Sequence, residues 1–77
     1  MTPAQAILLL LTHREPQQTI CPSEAARLLA GEGDWRARMD DVHRAARRLA
    51  EENNIAISWK GEAREVSDGP YRIGQPI

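Results

Sequence analysis

The stretch CPSEAARLLAGEGDWRARMDDVHRAARRLAEENNIAISWKGEAREVSDGPYRIGQ, from Cys21 to Gln75, decides the architecture: two segments of helical apolar spacing precede one that alternates. Pro22 at a first helical position opens a helix, with Glu24 well placed near its dipole and Gly31 to end it. Ala25, Leu28 and Leu29 form its apolar stripe. Gly31-Glu32-Gly33-Asp34 is a turn, and Asp34 is a good N-cap for a longer helix expected from Trp35 to about Glu52. There Trp35, Met39, Val42, Ala46, Leu49 and Ala50 recur at spacings of three and four. Asn53-Asn54 stops that helix. In Ile55-Ala56-Ile57-Ser58-Trp59 the alternation puts Ile55, Ile57 and Trp59 on one side of a strand, and Tyr71-Arg72-Ile73 is the expected pairing strand. Lys60 to Pro70, with Gly61, Gly69 and Pro70, is polar, too long for a tight turn and the right length for a wing.

Upstream, Thr2-Pro3-Ala4-Gln5 supplies a complete helix start, with Thr2 as N-cap and Gln5 as its capping-box partner, so a first helix is expected over Pro3 to His13. Ile7, Leu10 and Leu11 make one face, and Leu8 and Leu9 point elsewhere. Arg14 to Gln18 is a polar break. Thr19-Ile20-Cys21 is β-prone and offers a short third strand beside the hairpin. The whole reads as one α+β domain over residues 1–77, a small winged helix-turn-helix of three helices and a C-terminal β-hairpin. Its expected core is Ile7, Leu10, Leu11, Leu28, Leu29, Met39, Val42, Ala46, Leu49, Ile55, Ile57 and Ile73. Trp35 and Trp59 align with apolar faces, which favours packing over base stacking.

A chain of 77 residues has no room for a second domain and, at this size, buries only about 60% of its unfolded surface. Phe is absent, so Leu, Ile, Val and Ala must carry the core with Trp35, Trp59 and Tyr71. The net charge of -1 argues against strong non-specific nucleic-acid binding, so any basic surface must be local. Nine of the ten bases are Arg, a bias that a GC-rich bacterial genome also produces. The one Cys excludes an intramolecular disulfide and suits a reducing, cytoplasmic setting. Ala6 to Leu11 is far short of the roughly 20 residues that span a bilayer, and no basic segment precedes it, so it reads as neither signal peptide nor anchor.

The string Thr19-Ile20-Cys21-Pro22-Ser23-Glu24-Ala25-Ala26-Arg27, followed by Asp34-Trp35-Arg36 and Gly69-Pro70-Tyr71-Arg72-Ile73, resembles a bacterial domain-of-unknown-function family, number 3253, over nearly the whole chain. That resemblance implies a winged-helix domain and carries no functional residue with it.

Function must then be read from side chains. A winged helix that binds duplex DNA inserts its long helix into the major groove and lays its wing along the phosphates. Arg36, Arg38 and Arg44 on the helix, with Lys60 and Arg64 on the wing, are the candidate nucleic-acid contacts of a regulatory protein. Against this, Asp40 to Arg44, Arg47 to Glu51 and Arg48 to Glu52 are spaced as i,i+4 ion pairs of a solvated helix. Glu62, Glu65 and Asp68 likewise offset the wing. The alternative is a protein-interaction module of the same fold that binds no nucleic acid. Cys21 at a helix start can be a reactive thiol or a small buried hydrophobe, and the latter fits its place after Ile20. His13 and His43 lack partners at ligand spacing, so no metal or cofactor is expected. Asp40, Asp41 and His43 come with no nucleophile or phosphate loop, so neither is catalysis. With Leu8 and Leu9 on the far side of the first helix, a homodimer through that helix is a further expectation.

Overall fold

The computed structural model describes residues 1–66 and 69–76. Helix α1 spans Pro3–Thr12, α2 Pro22–Ala30, a 3-10 turn Trp35–Arg38 and α3 Met39–Glu51; strands β1 (Ala56–Trp59), β2 (Glu62–Ala63) and β3 (Arg72–Gly74) follow. Local chemistry sets the helix ends. Thr2 Oγ1 accepts from the Gln5 N–H at 3.1 Å, and Gln5 Oε1 accepts from the Thr2 N–H at 2.8 Å, closing the capping box. Before α2 the Cys21 N–H donates to Glu24 Oε2 at 2.7 Å. Gly31 caps its end at φ 59, a left-handed conformation that glycine adopts without cost. Asp34 Oδ1 accepts from the Arg36 N–H at 3.0 Å and starts the 3-10 turn. At the far end of α3, Asn53 has φ 62, its N–H bonds Ala50 O, and the Asn54 N–H bonds Leu49 O, which is a Schellman closure.

The expected single helix from Trp35 to Glu52 is therefore a 3-10 turn running into an α-helix. The hairpin also differs from expectation. Lys60 and Gly61 both have positive φ, 53 and 83, so β1 reverses in a two-residue turn and pairs at once with β2, Trp59 opposite Glu62. The chain then crosses to the other edge of β1, where β3 pairs antiparallel with Ile57 opposite Ile73. Sheet order is thus β2-β1-β3. The Thr19–Cys21 segment adds one bridge in place of a strand: Ile20 and Ile73 exchange N–H to O bonds of 2.8 and 2.9 Å. Three helices and a three-stranded antiparallel sheet make an α+β fold whose order fits a winged helix-turn-helix.

The core forms where the helices meet the inner face of this sheet, and alanines dominate its helical part: Ala6, Ala25, Ala26, Ala45 and Ala46 are all buried beside Ile7, Leu11, Val42 and Leu49. Small side chains let helix axes approach closely, which turns α2 so that Ala25 and Ala26 face inward. Leu28, expected in the core, is consequently 38% exposed, and Leu10, Leu29 and Met39 pack only at its edge. Ile55, Ile57, Ile73, Ile20 and Tyr71 close the sheet side. Trp59 is half-buried and stands outside the core cluster, unlike its expected role. A bond from Gln75 Nε2 to Leu11 O, 2.9 Å, ties the end of the sheet to α1.

Trp35 is half-buried as well and only borders the core. A fully buried Trp changed to Ala costs about 3–5 kcal/mol, so Trp35→Ala should cost nearer 2 kcal/mol and leave a folded protein with a lowered urea midpoint. Failure to fold in the absence of denaturant would place the ring deeper than its exposure allows.

Candidate nucleic-acid interface

The five cations singled out from sequence occupy three places. Arg36 and Arg38 lie on the 3-10 turn that leads into α3, both exposed; the Arg36 guanidinium sits 4.5 Å from the Trp35 ring centre. Arg44 is on the outer side of α3, where it pairs with Asp41 at 2.5 Å and lines a shallow depression with Thr2, Pro3 and Arg48. Lys60 stands at the tip of the β1–β2 turn, its Nζ 6.0 Å from the Trp59 ring centre. Arg64, just past β2, donates to Pro70 O at 3.1 Å. The structure sets Arg36 and Arg38 on one turn, places Lys60 and Arg64 on one hairpin with different neighbours, and leaves Arg44 apart, tied to a nearby carboxylate.

The expected i,i+4 ladder on α3 does not form. Arg44 reaches back one turn to Asp41, in keeping with the tilt of helical side chains toward the N-terminus, and Arg47 and Arg48 make no ion pair among the described residues. For exposed side chains the rotamer entropy of fixing such a pair cancels most of its Coulomb gain. Arg47 faces Arg64 across a cleft of about 400 Å³ between α3 and the segment after β2, with Glu51 and Glu65 on the same rim and Ala50, Ile57 and Val66 among its apolar lining. The helical wheel could have found Arg47, because it lies near His43 on the sheet side of α3. Arg72 donates from Nε to Thr19 Oγ1 at 3.0 Å and from Nη2 to Thr19 O at 3.1 Å, so it serves the sheet. Asp68 lies outside the described residues.

Sequence reasoning also missed Arg27. On the last turn of α2, it brings its guanidinium to 4.7 Å from the Trp35 ring centre, so one indole carries two arginines from either side of the turn. Nothing local marks this contact, since seven residues of helix end and turn separate the partners.

Beneath α3, Tyr71 and His43 form the polar joint of the domain. The Tyr71 hydroxyl and His43 Nδ1 are 2.6 Å apart, and the rings meet at a tilt of 56°. Burial pushes the phenol up to about 12, with Arg47 partly opposing and Cys21 adding to the rise. The phenol therefore keeps its proton, and a hydroxyl that donates to Nδ1 pairs with the imidazole tautomer protonated on Nε2. Cys21 is half-buried and its sulfur accepts from the Ser23 hydroxyl at 3.1 Å, consistent with a small packed side chain.

Among the described residues no helix is long and apolar enough to cross a membrane, and no group of His, Cys, Asp and Glu has the makings of a metal site. The chain belongs to the family described as protein of unknown function (DUF3253), whose profile matches residues 2–76. No curated protein matches it.

Proposed function

We propose that this domain binds duplex nucleic acid weakly and locally, with the leading end of α3 toward the major groove and the β1–β2 turn along the phosphates. One observation carries the reading: at that end of α3 two neighbouring carboxylates are occupied. Asp34 caps the 3-10 turn and Asp41 holds Arg44, and among the described residues Arg36 and Arg38 make no ion pair. Lys60 adds a cation at a backbone-fixed turn. Arg44, tied to Asp41, becomes a secondary contact, and Arg64 helps to hold the hairpin. Asp40, Glu62 and Glu65 and the net charge of -1 keep affinity for random sequence low, on the order of 10⁻⁴ to 10⁻⁶ M at physiological salt. A homodimer through Leu8 and Leu9, 39% and 40% exposed, belongs to the same reading and would double the contacting face.

Docking to a protein is the second reading, favoured by the exposure of Leu8, Leu9 and Leu28. A salt titration of duplex binding separates the two, because log affinity falls with log salt by about 0.9 for each phosphate contacted. A binding domain gives a clear slope, and Arg36→Ala with Arg38→Ala weakens binding more than Arg47→Ala does. A flat dependence, or no binding at low salt, removes the nucleic-acid reading and leaves the docking module.

A further inference from the structure

The Arg27, Trp35 and Arg36 cluster joins the end of α2 to the turn before α3. Its two guanidiniums lie 4.7 and 4.5 Å from the centre of the same indole ring. Both guanidiniums are exposed positive charges on one ring, open to an anion wherever no carboxylate holds them. Arg27 has one within helical reach, Glu24 at i−3. That carboxylate is already occupied on both oxygens, by Arg14 at 2.8 Å and by the Cys21 N–H at 2.7 Å. Arg36 is preceded by Asp34, whose Oδ1 accepts from the backbone N–H of Arg36 itself. Neither guanidinium makes an ion pair among the described residues, where the ion pairs are Arg14 with Glu24 and Arg44 with Asp41.

We infer that Arg27 and Arg36, held on Trp35, form an anion-binding clamp for the phosphodiester groups of a nucleic-acid backbone. The inference rests on the nucleic-acid reading above and extends its contact surface from the leading turn of α3 back onto α2. Arginine suits the role because its planar fork matches phosphate oxygens in pairs. Trp35 supplies what surface arginines lack. Its half-buried ring borders the core, so it is a fixed platform, and stacking restricts the guanidiniums before the anion arrives. Trp35 is thus a positioning residue. If the arginine stems merely cover apolar ring surface, the same stacking exists without any affinity for phosphate.

The test follows the Trp35 indole N–H resonance of the full chain, assigned with Trp59→Phe, while inorganic pyrophosphate is added at constant ionic strength. A saturable shift of Trp35 is expected, weakened at least several-fold by Arg27→Gln and by Arg36→Gln and largely kept by Arg48→Gln, on the far helix. No shift at Trp35, or an equal shift in Arg27→Gln, overturns the clamp whatever the protein does with DNA. On duplex DNA, Arg27→Gln should reduce the salt slope by about 0.9, the value of one lost phosphate contact. Trp35→Leu, if folded by circular dichroism, should weaken pyrophosphate binding with both charges present. A wild-type slope that Arg27→Gln leaves unchanged overturns the clamp and leaves the proposed function standing. A pyrophosphate shift that depends on both arginines, with no duplex binding at any salt, supports an anion site and sinks the duplex reading together with the clamp's assignment to its backbone.

Discussion

Ile73→Ala is expected to unfold this protein or lower its melting temperature by on the order of 10 to 30 °C. Ile73 is 0% exposed and joins two partners: it stands opposite Ile57 in the β1–β3 register and exchanges both backbone bonds with Ile20. Removing a fully buried Ile side chain to Ala costs about 2–5 kcal/mol, through lost transfer energy and the cavity left behind. Domains of this size have total stabilities at the lower end of about 5–15 kcal/mol, and each kcal/mol moves the melt by roughly 4–8 °C. Ile73→Val keeps most of the volume and should cost about 0.5–1.5 kcal/mol, so the pair calibrates the cavity effect. Thermal melts followed by circular dichroism read both. If Ile73→Ala melts within a few degrees of wild type, the Ile73 side chain does not carry the packing of the sheet against the core.

What the sequence made legible is what is decided within four residues. The Thr2–Gln5 box, the Asp34 cap and the Gly31 stop each depend on neighbours one turn away, and each forms where its residue types imply. Tertiary packing decided the rest. Periodicity assigned α2 a stripe through Leu28, but the close approach of alanine-lined helices rotates that helix and sends Leu28 outward. The Lys60-Gly61 reversal went unrecognised because Lys60 is an unusual residue for a positive φ, so the polar run to Pro70 read as one continuous tip. Ile20 is absent from the expected core, and the partner of Tyr71 is not visible in the sequence, since each meets a residue more than 25 positions away, Ile73 for one and His43 for the other. The candidate interface divides in the same way. Its cations are visible as residue types, whereas which carboxylates are occupied, and that Arg27 meets Trp35 across the turn, depends on the folded arrangement.

Alkaline pH should destabilise the protein through Tyr71, and the effect should vanish in Tyr71→Phe. Tyr71 is 3% exposed and its hydroxyl meets His43 Nδ1 at 2.6 Å, so the folded state favours the neutral phenol. Burial pushes its pKa from 10.0 up to about 12. Between those values the unfolded chain releases the phenolic proton and the folded chain retains it, so stability falls as pH rises. The contribution is fully present below pH 10 and is lost as pH climbs toward 12. Two pKa units correspond to roughly 2–3 kcal/mol, a large share of the stability of so small a domain. Tyr71→Phe removes the titrating group and also one hydrogen bond, leaving His43 Nδ1 without its partner, at about 1 kcal/mol near neutral pH. Urea denaturation at intervals from pH 8 to pH 12 should therefore give two curves that start apart, with wild type the more stable, and converge or cross as the phenol of the unfolded chain ionises. Parallel curves over that interval would mean that the Tyr71 hydroxyl ionises as easily inside the fold as in water, and that its bond to His43 does not keep the phenol protonated.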